Sequence, residues 1–304
     1  MENFSLFFTT LFFLPLYCLR TTLGSSLPFA FLCHNNRTYN RTKMRYNRLM
    51  FNQLIRELCA ELSINYTELS DHWIFRLEKD GKVHFISGNR FDLNSAASAD
   101  LADDKVSAYE VMHHASISAV PHHLVLSRDP KSKALSLLKS QNYPIVIKPN
   151  RGAGGRNVFL CKTPLVGKKN LQKVLRSDRA AAICPFIDAP YEYRCFFLDG
   201  KILLIYQKIR TNSWQHNLSH GAKPVIVPQS SATYSELSKL ASAAGNALGL
   251  RFATVDILED THGKFHVIEL NQGVSTTIFS QSSPENYELA KNIYRRALKA
   301  LFVL

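Results

Sequence analysis

The spacing of apolar and polar residues along the chain predicts alternating helices and strands. Between Met50 and Leu62 apolar residues recur at helical spacing, which predicts an amphipathic helix in the segment that starts at Met44. Two short apolar runs on either side of Lys79-Asp80-Gly81 predict a β-hairpin, because Asp-Gly is a favoured hairpin turn. Similar signals continue to the C-terminus without internal repeats or low-complexity tracts, so the predicted fold class is α+β.

Beyond Ala102 the elements follow one another without a linker. Asp103 or Asp104 is expected to cap a helix that begins at Lys105, and Asp129-Pro130 to cap one that runs to about Lys139. A last long helix, Tyr234 to Leu248, is expected to end at Gly249. Further helical residues are predicted at 167–176, and strands at 143–149, 158–160, 181–187, 193–198, 201–210, 255–258 and 265–271. Residues 102–304 are therefore expected to form one domain.

The N-terminal residues have a different character. Phe4 to Leu19 is apolar, but it is shorter than a membrane-spanning helix and contains Pro15. No lysine or arginine precedes it, as a secretory signal would require. A signal, an anchor and a translation start at Met44 are the alternatives, and a non-catalytic extension over residues 1–43 is favoured.

Composition fits a soluble intracellular protein that can bury one large core or two smaller ones. Apolar residues make up 46% of 304 positions, and the six cysteines form no Cys-x-x-Cys pair, so they are expected to be reduced in the cytoplasm. The net charge of +13 allows a nucleic acid, a polyanionic or phosphorylated acceptor, or only a solubilising surface. Lysines and arginines spread along the chain without interleaved aromatics favour the last reading. No nucleic acid and no stable membrane association are expected.

Three polar residues interrupt two apolar strands near the C-terminal end. Asp256 lies in the first strand, while Glu269 and Asn271 are two positions apart in the second and so face the same side. If the strands pair through the turn at 260–263, Asp256 lies across from them. Three oxygen ligands on one sheet face suit Mg²⁺, the usual companion of ATP phosphates. A solvated hairpin face is the alternative, but the apolar neighbours favour a metal site.

A glycine-rich loop upstream is a second signal. The strand that ends near Lys148 is followed by Arg151-Gly152-Ala153-Gly154-Gly155-Arg156 and a second strand. Glycines leave room for backbone N–H groups to approach phosphate oxygens, and glycines themselves adopt positive φ without strain. The loop is neither a Walker loop nor a dinucleotide fingerprint, because a strand follows it where both need a helix. Combined with Lys148 and the three metal-type residues, it predicts a nucleotide phosphate site.

From about Ala102 to Gly273 these parts, in this order, resemble the ATP-grasp superfamily. The similarity is closest to ribosomal-protein glutamate ligases, cyanophycin synthetase and bacterial glutathione synthetase. It implies an ATP-grasp fold in which two α/β subdomains, about 102–184 and 185–304, grip ATP. A small region of the kind that flanks such domains is expected over residues 44–101.

The resemblance also implies roles for individual residues. The residues expected to bind the ATP phosphates are Lys105, Lys148, Lys208 and the loop residues Gly152, Ala153, Gly154 and Gly155. Phe186 and Ile187 are expected to contact adenine through their backbones, and Glu192 is expected to bind the ribose. Those expected to face the reacting groups are Arg194, Arg210 and Asn217. Asp256, Glu269 and Asn271 are expected to hold Mg²⁺, with Mn²⁺ as an alternative. His216 and His220 are interpreted as ordinary polar loop residues. Two departures from the family pattern are Cys184-Pro185 in the hinge and Asn271-Gln272-Gly273-Val274, which lacks the usual proline-glycine.

The activity that the resemblance implies is ATP- and Mg²⁺-dependent ligation of a carboxylate substrate to an amine acceptor. The acceptor is expected to be an amino acid, a peptide or a protein tail. The resemblance also allows the chain to form a homo-oligomer. Two alternatives remain open at this point. One is a kinase on the same scaffold that phosphorylates a hydroxyl, and the other is a non-catalytic nucleotide-binding protein.

Overall fold

A computed structural model describes residues 49–152, 154–211 and 213–304 of the protein. The predicted extension over residues 1–43 lies outside them. The helices are α1 over residues 49–62, α2 Ala96–Asp103, α3 Lys105–His114, α4 Lys131–Ser140, α5 Pro164–Asp178, α6 Ala232–Ala247, α7 Thr277–Ser280 and α8 Pro284–Phe302. The strands are β1 Asn65–Leu69, β2 Ile74–Lys79, β3 Lys82–Ser87, β4 Arg90–Phe91, β5 His123–Leu126, β6 Ile145–Pro149, β7 Phe159–Cys161, β8 Ala180–Pro185, β9 Tyr191–Leu198, β10 Lys201–Ile209, β11 Lys223–Ile226, β12 Phe252–Glu259 and β13 Phe265–Asn271.

The strands form three sheets with antiparallel neighbours. Their strand orders are β1-β2-β3-β4, β5-β8-β6-β7 and β11-β10-β9-β12-β13. Helices pack beside these sheets, so the α+β prediction is confirmed. In the described part of the chain, no helix is both long enough and apolar enough to cross a membrane.

Local sequence signals explain most element ends. Asp80 and Gly81 both have positive φ, +50° and +75°, as the tight turn between β2 and β3 requires. Asp104 caps α3 by accepting a hydrogen bond from the Ser107 N–H. The predicted cap at Asp129 was wrong: α4 begins after Pro130 without a side-chain cap, and the Asp129 carboxylate accepts from the Leu126 N–H instead.

The N-terminal elements do not have a core of their own. Leu54 and Ile55 of α1 are buried in one apolar cluster with Tyr294 of α8 and Phe252 of β12. The two regions that the sequence separates at residue 101 therefore pack around a shared core.

The second sheet, β5-β8-β6-β7, separates two different environments. Ile145 and Ile147 of β6 belong to one apolar core with Leu171 of α5. Val146, whose side chain points the other way because successive strand residues alternate, packs in a cluster with Ile268 of the third sheet. The face of the second sheet opposite the helices thus forms one wall of a cleft whose other wall is the third sheet.

Candidate active site

A cavity of about 480 Å³ lies in this cleft. Its size falls within the range of about 300–1,000 Å³ that is usual for small-molecule sites. Most residues selected from the sequence line it: Lys105, Lys148, Gly152, Gly154, Gly155, Phe186, Ile187, Glu192, Arg194, Lys208, Asn217, Asp256, Glu269 and Asn271. Arg210 is not among the lining residues, and Ala153 lies outside the described part of the chain.

The pairing of β12 with β13 opposes the predicted metal ligands. Asp256 lies directly across from Glu269. The Asn271 amide nitrogen donates to Glu269 Oε1 at 3.2 Å, which leaves the Asn271 amide oxygen free to face a ligand. The three oxygen-bearing side chains thus meet on one face of the sheet.

Asp256 also holds two cations. Its carboxylate accepts from Arg194 Nε at 2.8 Å and from the second guanidinium arm at 2.6 Å, and Lys208 Nζ lies 3.0 Å away. Lys208 in turn bonds Glu192. This Arg194–Asp256–Lys208–Glu192 cluster balances two positive and two negative charges in a buried position between β9, β10 and β12.

The cluster shifts the pKa of both carboxyls. Burial opposes ionisation of Asp256, but Arg194 and Lys208 outweigh it and hold its pKa well below the ordinary value. Burial raises the pKa of Glu192, and Lys208 offsets this effect only in part. Glu192, predicted to bind ribose, is therefore engaged by Lys208 in this arrangement.

The donor set beside the cluster fits a hard divalent cation. Glu269, Asn271 and Asp256 offer the oxygen ligands that Mg²⁺ and Mn²⁺ prefer. Thr254, opposite Asn271 on β12, has a buried hydroxyl for which the described residues supply no hydrogen-bond partner. A water or a substrate bound in the cavity would supply the missing hydrogen bond to this hydroxyl.

Lys105 connects the start of α3 to both the glycine loop and the metal-type residues. Its ammonium donates to the Gly152 carbonyl at 2.8 Å and lies 3.7 Å from Glu269 Oε2. Burial lowers its pKa, although Glu269 opposes that shift. Asn150, not selected from the sequence, fixes this end of α3 by accepting from the Lys105 and Val106 N–H groups, each at 3.2 Å.

The glycine loop meets the polar loop that follows β10. Gly152, Gly154 and Gly155 have φ of +144°, +74° and +71°, which glycine adopts without strain. A Cβ on Gly155 would lie 3.4 Å from the Asn217 amide nitrogen. Asn217 itself accepts from the Ser219 N–H at 3.1 Å and so caps a short 3-10 helix.

At the other end of the cavity, the predicted adenine-binding backbone is only partly available. The Phe186 N–H already donates to the Pro144 carbonyl at 3.0 Å. In the described chain, the Ile187 N–H and the Phe186 carbonyl have no backbone partner and remain free for a ligand. Trp214, not selected from the sequence, packs edge-to-face on Phe186 with ring centroids 5.8 Å apart.

Two expectations are corrected by the structure. Arg210 follows the end of β10 and bonds Asp188 at 3.1 Å, partly exposed, so the chain does not bring it to the cavity wall as expected. His216 is buried, and its ring nitrogens lie 3.1 and 3.2 Å from the carbonyls of Lys208 and Ala189. It therefore ties the polar loop to β10 and is not an ordinary polar loop residue.

Two named relatives are ligases that act with glutamate. The glutamate–LysW ligase of Sulfolobus acidocaldarius is 22% identical over 185 residues, which cover 59% of this chain and 63% of that protein. The tetrahydromethanopterin:alpha-L-glutamate ligase of Methanocaldococcus jannaschii is 30% identical over 149 residues, covering 46% and 49% respectively. The chain thus spans less than two thirds of the length of either relative.

The fold is shared with a solved ligase. The D-alanine–D-alanine ligase of Bacillus anthracis complexed with ATP aligns with a TM-score of 0.55 at 21% identity, covering 69% of this chain and 67% of that chain. The sequence of residues 102–295 matches the family described as the RimK-like ATP-grasp domain. Because that match spans more than half of the chain, the protein belongs to the RimK-like ATP-grasp family.

Proposed function

We propose that the protein is an ATP- and Mg²⁺-dependent ligase that joins a carboxylate to an amine through an acyl phosphate. The observation that carries the proposal is the Arg194–Asp256–Lys208–Glu192 cluster beside Glu269 and Asn271. It places fixed cations and oxygen ligands on one wall of a nucleotide-sized cavity. Family membership supports ATP use and ligase chemistry in general.

The chemistry explains why such a wall is needed. An amine does not displace oxide from a carboxylate, so the carboxylate oxygen first attacks the γ-phosphorus and ADP leaves. The amine then attacks the acyl carbon, phosphate leaves with the former carboxylate oxygen, and the amine loses a proton. A bound Mg²⁺ would supply charge neutralisation on the phosphates, held by Glu269, Asn271 and Asp256. The protein's own contribution is position and preorganised charge.

Each part of the cavity has a role in this scheme. Lys105 and Lys148 would bind phosphate oxygens, and the glycine loop would cover them. Phe186 and Ile187 would present backbone groups to adenine. Arg194, held by Asp256, would face the charge that develops during transfer.

One experiment tests the reaction type. The full chain is incubated with MgATP and single amino acids or short peptides, and ADP, phosphate and product mass are measured. Glutamate and glutamate-ended peptides come first, because both named relatives act with glutamate. We expect amine-dependent release of ADP and phosphate in equal amounts, with a product of the summed mass less water.

Hydroxylamine separates the ligase from the kinase alternative. It traps an acyl phosphate as a hydroxamate and releases phosphate in step with ADP. A phosphorylated hydroxyl does not react in this way, and its phosphate stays on the product. Stable phosphate incorporation without hydroxamate would overturn the proposed reaction and leave the fold assignment standing.

A further inference from the structure

The positive charge of the chain is concentrated in one segment. Residues 123–185 contain thirteen lysines and arginines but only two acids, Asp129 and Asp178. This segment therefore has a net charge of +11, compared with +13 for the whole chain. By contrast, residues 49–122 contain eleven acids against six lysines and arginines. The segment corresponds to the second sheet with α4 and α5.

Most of these cations lie on one side of the molecule. Three of them, Lys148, Arg151 and Arg156, belong to the strand and loop at the cleft. The other ten are exposed on α4, on α5 and in the residues that flank these helices, and we call them the basic face. Its members are Arg128, Lys131, Lys133, Lys139, Lys162, Lys168, Lys169, Lys173, Arg176 and Arg179.

The basic face points away from the cleft. Leu138 of α4 and Leu171 and Val174 of α5 pack with Ile145 and Ile147, the side of the second sheet opposite the cavity. The two helices also contact each other. The exposed cations of these two neighbouring helices therefore lie on the side of the second sheet away from the cavity.

Within the described chain, almost nothing neutralises this surface. Only Lys133 of the ten has an ion-pair partner, Asp129, at 3.4 Å. Neither α4 nor α5 has an acid in its first turn. On α5, Lys169, Lys173 and Arg176 follow one another along one stripe, where like charges repel. Cations that destabilise their own helix by mutual repulsion are expected where an anionic partner binds and relieves that repulsion.

We propose that the basic face binds an acidic polypeptide segment, rich in Asp and Glu, of the protein that carries the ligase substrate. The proposal rests on the proposed ligase function for the identity of the partner as a substrate. Seven of the ten cations are lysines, whose compact ammonium groups pair with carboxylates as point charges. In the described residues of this segment, the exposed large apolar side chains are Leu124, Leu165 and Val166. None of these three is an aromatic platform on which bases could stack.

The position of the basic face would make the partner's acidic segment an anchor. It would dock behind the second sheet and leave the cavity open. The reacting group would reach the cleft around the edge of a four-stranded sheet, a path that on the order of ten extended residues can span. The field of the face would also accelerate encounter with the partner, most strongly at low salt.

The test uses the full chain and a fluorescein-labelled polyglutamate peptide, with binding followed by anisotropy. The test variant combines Lys169→Glu, Lys173→Glu and Arg176→Glu. The matched control combines Lys201→Glu, Lys223→Glu and Lys264→Glu, which are exposed outside the basic face and change the net charge equally. We expect the test variant to bind the peptide at least about tenfold more weakly, and the control less than about twofold, because local field outweighs net charge. Affinity for MgATP should be unchanged in both variants, which also checks that they are folded.

Other outcomes overturn the proposal. Absence of peptide binding, or equal weakening in both variants, would show that the face is only a solubilising surface. Tighter binding of a labelled oligonucleotide than of the peptide would assign the face to nucleic acid instead. Glu269→Ala keeps the two proposals apart: it should abolish ADP release and leave peptide binding intact. Intact catalysis without peptide binding would contradict only the docking proposal. Intact peptide binding without any ligase activity would contradict only the proposed function.

Discussion

Asp256 unites two roles that compete for the same oxygens. It holds Arg194 and Lys208 in place, and it is also a proposed metal ligand on the face shared with Glu269. A buried carboxylate of this kind is stable only while its cations stay with it, since an unpaired buried charge is costly. The same pairing fixes the Arg194 guanidinium before any substrate arrives.

Asp256→Asn should reveal this electrostatic stabilisation through its pH dependence. The folded-state pKa of Asp256 is lowered, so its contribution is complete above the unfolded carboxyl pKa of about 3.9 and disappears as pH falls through the depressed value. We expect a loss of about 3–5 kcal/mol in the free energy of unfolding at neutral pH. Urea titrations should show the gap between wild type and variant narrowing below about pH 4. Asp199→Asn, which breaks the exposed pair with Arg251, is the control and should change stability little.

Glu269→Gln should inactivate the protein without unfolding it. The change keeps the side-chain volume but removes the charge that faces Lys105 and that we propose holds a divalent cation. We expect ADP release to fall by about 10²–10³-fold, the usual cost of one preorganised electrostatic contact. Glu259→Gln, at the far end of β12 and bonded to Tyr193, is the control for charge loss. Turnover at the wild-type rate in Glu269→Gln would exclude the metal assignment.

The two arginines near the site should behave differently. Arg194 lines the cavity and is locked by Asp256, whereas Arg210 is partly exposed beside Asp188. We expect Arg194→Ala to lower the maximal rate by about 10²-fold or more, with a smaller effect on ATP affinity, because Arg194 is proposed to meet the charge that develops during transfer. Arg210→Ala should change the rate only a few-fold. An equal loss in both, from steady-state kinetics, would return Arg210 to the catalytic role that its sequence position implied.

At the scale of elements, the site depends on a contact between two loops. The glycine loop after β6 touches the polar loop after β10 where Gly155 approaches Asn217. One loop extends from the second sheet and the other from the third. This contact lies at the wall of the cavity, which both loops line.

A pair of alanine substitutions isolates this contact. Gly154 and Gly155 both have positive φ, so alanine strains either backbone by about 1–2 kcal/mol. Only at Gly155 would the added Cβ meet another loop, whereas a Cβ on Gly154 has no atom within 4 Å. We expect Gly155→Ala to weaken ATP binding more than Gly154→Ala, measured by calorimetry, because its Cβ, 3.4 Å from the Asn217 amide nitrogen, would leave the two loops no room to approach each other further. Equal effects would mean that backbone strain alone matters.

For the whole molecule, the shared core joins α1 to α8 and to β12, one of the strands that line the cavity. Leu54 of α1 is 1% exposed and packs in the cluster that includes Tyr294 of α8, which also bonds the backbone of Val274 and Thr276 just beyond β13. We therefore expect damage to α1 to disturb the strand that carries Glu269 and Asn271.

Leu54→Ala should therefore destabilise the whole protein, whereas deletion of residues 1–43 should not. We expect a loss of about 2–5 kcal/mol for Leu54→Ala, from burial lost and a cavity created. Leu49→Ala, at a half-exposed position of the same helix, is the control and should cost far less. Thermal unfolding and ADP release are the measurements. Failure of the truncated chain to fold would show that the extension is structural.

Local chemistry explains how much the sequence alone determined. Helix caps, the Asp-Gly turn and the period of the strands depend on neighbours a few residues apart, so element order and the facing of Asp256 and Glu269 were predictable. The ATP-grasp assignment followed, because it rests on the order of such local parts. Asp129 failed as a cap since a competing bond to the Leu126 N–H was equally local and could not be ranked beforehand.

Only the tertiary structure decided which side chains meet across long separations. The bonds of Asp256 to Arg194 and Lys208, the burial of His216 and the exclusion of Arg210 depend on how β9, β10 and β12 register and on where the following loop turns. The ten lysines and arginines of the basic face come close together in the sequence, but only helical spacing and the packing of α4 on α5 bring them to one side of the second sheet. Those distances are set by the packing of the whole core, which no local pattern encodes.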